Sequence, residues 1–232
     1  MAHIEKHLKS SDFVTDIVIG MSDGLTVPFA LAAGLSGAVS SNSIVITGGI
    51  AEIVAGCIAM GLGGYLAGKT EQDHYQNELK REYDEVENVP DDEMQEVKDI
   101  FAEFGIDNEG QTLLANQLAK DKTNWVNFMM KYELGLEKPD PNRARNSALT
   151  IGLAYFIGGL LPLTAYFITA TPREGLLLSA IITTLCLFTF GYFKSKITGQ
   201  HPIKGALKVT AIGLIAATAA YFVAVGFDKA FH

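Results

Sequence analysis

The run from Val14 to Val39 constrains this chain most, because it is almost continuously apolar and yet carries Asp16, Asp23 and Pro28. A helix that crosses the hydrocarbon core of a bilayer takes roughly 20 mostly apolar residues, and this run has length to spare for a tilt. A carboxylate at mid-bilayer depth costs about 2.5–3.5 kcal/mol on insertion scales, so Asp23, near the middle of the run, has to face something other than lipid. A pathway is the functional reading, and a structural hydrogen bond between helices is the plain one. Asp16 and Asp23 are seven residues apart, about two helical turns, and share nearly one stripe. Gly20 and Gly24 form a small-xxx-small surface beside them that admits another backbone, and the expected use of that surface is a dimer seam. Pro28 removes the amide that would bond the Gly24 carbonyl, which leaves that oxygen free for a cation unless Pro28 is a simple tolerated kink.

Four further apolar runs follow: Ser43 to Gly68, Ser147 to Ala170, Leu176 to Phe193 and Ile203 to Phe227. The predicted class is therefore an all-α polytopic membrane protein with five transmembrane helices and a helical insert between helices 2 and 3. Its expected divisions are 1–70 with helices 1 and 2, 71–142 for the acidic insert, and 143–232 with helices 3 to 5. The polar stretch Met1 to Ser11 and the length of the first run argue against a cleavable signal peptide. Cys57 and Cys186 lie inside apolar runs, so neither a disulfide framework nor a CxxC metal site is implied.

The net charge of −8 is unevenly placed. From Glu71 to Asp140 there are 19 acidic and 7 basic residues, against 7 acidic and 11 basic elsewhere. An acidic insert repels phosphate and attracts cations, which argues against a nucleic-acid partner. Lys6, Lys9, Arg143, Arg145, Lys194, Lys196 and Lys204 fall on the side of the insert, while the turn at Ser40 to Asn42 and the loop expected at Pro172 to Glu174 hold one basic residue between them. The positive-inside rule then puts the N-terminus and insert in the cytoplasm and the C-terminus across the membrane.

Glu52 interrupts the second run, and Met60 lies eight residues on, roughly 80° round the helix, so both can border one channel. A thioether beside the hard oxygens of Asp23 and Glu52 suits a borderline transition metal better than sodium or calcium. In the insert, Leu79, Tyr83 and Val86 continue the second helix into water, and Pro90 with Asp91, Asp92 and Glu93 starts another that Gly105 closes. Further helices are expected around Gln111 to Ala119 and Asn124 to Leu134. Glu82-x-x-Glu85 and Glu93-x-x-Glu96 each put two acids on one face. Folded back on each other, the two helices bring four carboxylates together without enough neighbouring Lys or Arg to neutralise them; the plain alternative is a solvated acidic face. Met129, Met130 and Glu133 on a later helix can close such a site. Glu71-x-x-His74 is half of a di-iron motif without its second copy, so His74 reads as a surface residue. No standard hydrolase or ATP-driven pump is expected: HExxH is missing, and the strings Gly20 to Gly24 and Gly63 to Thr70, which match GxSxG and the Walker pattern, lie in or at the end of apolar helical runs without the strand that either motif follows.

The segment from Asp16 through Asp23 and Pro28 to Phe29, the run Gly49 to Gly64 with Glu52 and Met60, and the glutamate-rich insert together resemble the vacuolar iron transporter family of plants and yeast, over essentially the whole chain. The resemblance implies a non-enzymatic homodimer of five-helix protomers in the vacuole membrane that moves Fe²⁺ from cytosol to vacuole in exchange for protons. It implies no prosthetic group, only transported divalent metal, Fe²⁺ with Mn²⁺, Co²⁺ or Zn²⁺ as further cargo. It puts the pathway on Asp16, Asp23, Glu52 and Met60, and the insert's metal site on Glu82, Glu85, Glu93, Glu96, Met129, Met130 and Glu133. Two rivals are an intramembrane di-iron enzyme, which the scarcity of histidine disfavours, and a metal sensor or scaffold that binds without transporting.

Overall fold

The computed structural model describes residues 12–231, with side chains up to 227; Lys6 and Lys9 lie outside the described residues. Eight helices follow one another: α1 (Asp12–Ala38), α2 (Asn42–Asn88), α3 (Pro90–Glu103), α4 (Asn108–Leu118), α5 (Lys122–Tyr132), α6 (Arg143–Ile168), α7 (Pro172–Ile197) and α8 (Pro202–Phe231). Of these, α1, α2, α6, α7 and α8 are long and apolar enough to cross a membrane. The chain forms two compact units, one of residues 1–66 with 144–232 and the other of residues 67–143. Helix α2, 47 residues long, supplies its first part to the former and its remainder to the latter.

In the membrane unit α6 and α1 are the most enclosed helices, with 50% and 44% of their apolar windows buried against 17–22% for the other three. The reason is written in their small residues. A Cβ added at Gly20 would come 2.3 Å from the Ile151 carbonyl oxygen, and one at Gly24 would come 2.4 Å from that of Tyr155. On the facing helix, Gly158 lies against the Gly24 main chain and Gly159 against Pro28. Helices in lipid gain little from apolar burial alone, so such backbone-to-backbone approach is what holds them. The expected dimer seam through Gly20 and Gly24 is thereby corrected: those glycines are consumed by α6 of the same chain. Gly61 and Gly152 bring α2 and α6 together in the same way, and Gly34 and Gly37 seat α8 on α1. Outward-facing Leu153, Ile168, Leu185, Ile215 and Phe222 are more than half exposed, the composition that a lipid environment accepts without cost.

Helix α7 corrects a second expectation. Pro172 to Glu174 is its first turn and not a loop: Thr171 accepts a hydrogen bond from the Glu174 amide at 3.3 Å, Pro172 occupies a position where no amide is needed, and the Glu174 side chain reaches back to the Ala170 amide. Its last turn carries Lys194 and Lys196, which complement the carbonyl end of the helix dipole.

The insert unit closes over its own apolar core of Tyr75, Val86, Val97, Ala115, Trp125, Val126, Met129 and Met130. Gly105 and Gly135, both with positive φ, turn the chain after α3 and α5. Asp107 and Asp121 cap α4 and α5 by accepting backbone amides.

Candidate functional site

Two groups of acids have to be considered, one in each unit. In the membrane unit Asp16 is buried at 3% exposure, and Asp23, two turns on, is half-buried. Glu52 on α2 is half-buried and accepts a hydrogen bond from the Tyr155 hydroxyl of α6 through Oε1. Its other oxygen, Oε2, is buried with no hydrogen-bond partner among the described residues. Tyr155 is held from two sides. Its main chain lies on Gly24, the neighbour of Asp23, and its ring lies on Gly56, where an added Cβ would come 2.4–2.5 Å from the hydroxyl and ring atoms. Tyr155 is therefore the residue that joins the Asp23 region of α1 to Glu52 of α2, and the sequence reading passed over it. Met60 is half-buried two turns beyond Glu52, about 12 Å along the helix axis, beside the Gly61 contact with α6.

The far end of α6 repeats the theme. Tyr166, 1% exposed, pairs its hydroxyl with Ser36 of α1 at 2.9 Å, and its ring lies on Gly175 of α7. Asn42 at the start of α2 donates to the Tyr166 and Thr169 carbonyls at 3.2 and 2.7 Å, satisfying groups that the end of α6 would otherwise leave open.

In the insert, Glu82 of α2, Glu93 of α3 and Glu133 at the end of α5 each offer a carboxylate oxygen within 4.8 Å of the others. Glu82 and Glu93 are 1% and 4% exposed, and Oε2 of each is buried without a hydrogen-bond partner. Burial comes first in pushing Glu82 up to about 8, followed by the charges of Glu133, Glu93 and Glu85. Glu93 rises to about 7 through burial and then Glu96, Glu133 and Glu85, and Glu133 rises for the same kinds of reason. Glu85 and Glu96 fall outside the tight group but load it electrostatically.

Arg81 supplies positive charge beside the group: its guanidinium contacts Glu85 at 3.1 Å and Glu78 at 3.5 Å. It leaves the three inner carboxylates without a cation of their own. Met129 and Met130 are fully buried in the core of the insert, so packing already accounts for both. His74 and Glu71 are exposed, beside Glu78 and Arg143 respectively, and form no paired site.

Three carboxylates crowded together in this way could hold a divalent ion. An ion bound there would have to displace the protons that burial and mutual repulsion retain. The sign for stability follows. With folded-state affinities for protons raised above the unfolded value, the contribution of Glu82 and Glu93 is fully present below about pH 4.5 and is lost as pH rises through 7 and 8. The metal-free protein is therefore expected to lose thermal stability between pH 5 and 8, and Zn²⁺ to restore it most at the upper end. Glu82→Gln with Glu93→Gln should flatten both responses in a thermal-shift titration; an unchanged response would place the metal elsewhere.

The VIT family model matches residues 14–225, both units included. The chain belongs to the VIT family. Vacuolar iron transporter 1 of Tulipa gesneriana is 51% identical over 222 residues, covering 96% of this chain and 90% of that protein. The protein of the same name from Eucalyptus grandis is 53% identical over 219 residues, 94% and 88% of the two chains. Protein CCC1 of Saccharomyces cerevisiae is 40% identical over 217 residues, 90% of this VIT-family chain and 67% of the yeast protein.

Proposed function

We propose that this VIT-family chain is a transporter, not an enzyme, that carries ferrous iron from cytosol into the vacuole in exchange for protons, with Mn²⁺, Co²⁺ and Zn²⁺ as further cargo. The observation that carries the reading is Glu52: a carboxylate inside a membrane span, oriented through one oxygen and left with the other buried and unbonded. Ionisable groups within spans mark ion paths, and an unsatisfied ligand atom gives such a path a stopping point. Relatives named for vacuolar iron transport supply the cargo and the compartment.

In this reading Asp16, Asp23, Glu52 and Met60 line the route through the membrane unit. Ions arriving at the acids displace protons, and protons from an acidic lumen displace the ions again. The insert, on the cytoplasmic side with the N-terminus, gathers metal on Glu82, Glu93 and Glu133, with Glu85, Glu96, Met129 and Met130 around them. The C-terminus lies in the lumen. Two copies associate along α1, where Ile19 and Val27, 40% and 45% exposed, are outward residues available to a second copy.

Reconstitution of the purified chain in liposomes with an acidic interior tests the whole. Fe²⁺ uptake should rise with the pH gradient and collapse with a protonophore. Uptake indifferent to the gradient would remove proton exchange, and metal binding without uptake would reduce the protein to a sensor or scaffold.

A further inference from the structure

The clasp on Glu52 has a specific design. We infer that Tyr155 is a positioning residue for the transported metal: its hydroxyl, fixed by the Gly56 notch and the Gly24 contact, turns Glu52 so that Oε2 is the ligand atom. This rests on the reading of Glu52 as a pathway ligand.

The geometry leaves little freedom. The phenol ring has no room to swing toward α2, because Gly56 is the only residue type that leaves space for it, an added Cβ falling 2.4–2.5 Å from three of its atoms. Its backbone has no room to move toward α1, where Gly24 is pressed against the Tyr155 Cα and carbonyl. The hydroxyl is thereby presented at one place, and Glu52 meets it there with Oε1. A free glutamate side chain has three rotatable bonds and presents either oxygen; a clasped one presents a single lone-pair set, with its ordering cost met before the ion arrives. The tyrosine itself is 2% exposed and touches the carboxylate rather than taking the ion. The sulfur of Met60, two turns away, is a separate stop on the route.

Tyr155→Phe removes the donor and keeps the ring in its notch. In the liposome assay the expected result is an Fe²⁺ half-saturation concentration raised about tenfold, the scale of one hydrogen bond to a charged group, with the maximal rate within about twofold. A purely structural tyrosine would lower the amount of active protein and leave half-saturation unchanged. Gly56→Ala provides the second variant: it displaces the phenol sideways with the hydroxyl still present, and it should raise half-saturation in the same direction. If Tyr155→Phe loses maximal rate at unchanged half-saturation, or changes neither, the positioning role is overturned. If the phenylalanine variant does not fold, the same two readings are taken from Gly56→Ala, where a normal half-saturation overturns it. The reading of Glu52 as a ligand fails separately, by Glu52→Gln transporting like the parent protein.

Discussion

Asp23→Ala is expected to reduce Fe²⁺ transport below about one hundredth of the parent rate, the factor that corresponds to losing about 2.7 kcal/mol of interaction with the ion, at every metal concentration. Asp23 is half-buried on α1 beside the Gly24 contact, so truncation opens no core cavity and leaves no orphaned partner charge. Folding should survive, as judged by an unchanged elution profile and thermal midpoint. The insert behaves differently under the same proposal. Glu82→Ala with Glu93→Ala removes two of the three crowded carboxylates and with them most of their mutual repulsion. Transport should fall at low metal and recover as external Fe²⁺ rises, because a depleted collecting site lowers local concentration without closing the route. Recovery of Asp23→Ala at high metal, or its absence in the insert variant, would break that division of labour.

The second large effect concerns stability. Gly24→Leu places side-chain atoms where the Tyr155 carbonyl and Cα already sit, and main-chain atoms have no rotamer by which to move aside. Overpacking a tight site costs about 1–3 kcal/mol when side chains can yield; against backbone the upper end applies, which for a chain of this size lowers the thermal midpoint by roughly 10 °C. Gly63→Leu is the matched control on α2, since a Cβ there meets nothing within 4 Å. A folded, thermally normal Gly24→Leu protein that merely fails to crosslink as a dimer would restore the dimer-seam reading of that glycine pair.

Gly20 and Gly24 show what the sequence could and could not say. Their spacing announced a close backbone approach, and the approach is there, but the pattern is silent about whether the neighbour belongs to the same chain. Apolar length sufficed to find all five spans because lipid imposes one simple requirement along each helix. The start of α7 was misplaced although its capping signature, Thr171-x-x-Glu174, stands in the sequence; a proline after a polar residue was taken as a turn when it also fits the first position of a helix. Arg81 stands three and four residues from Glu78 and Glu85, the ordinary spacing for helical ion pairs, so its partners are legible in the sequence. Tyr155 was not legible at all. A tyrosine in an apolar run looks like any other large residue, and its meaning comes from Gly56 and Glu52, about a hundred positions earlier.

The two tyrosines of α6 are eleven residues apart, three turns with about 20° left over, so they stand on one face of the helix. One is bonded to α2 through Glu52 and the other to α1 through Ser36. Sliding α6 lengthwise by a single turn would unseat both rings from Gly56 and Gly175 and break both bonds in the same stroke. A piston-like movement of this helix is thus opposed at both rings. The same two rings tie α6 to three neighbours at once, α2 through Glu52, α1 through Ser36 and α7 through Gly175.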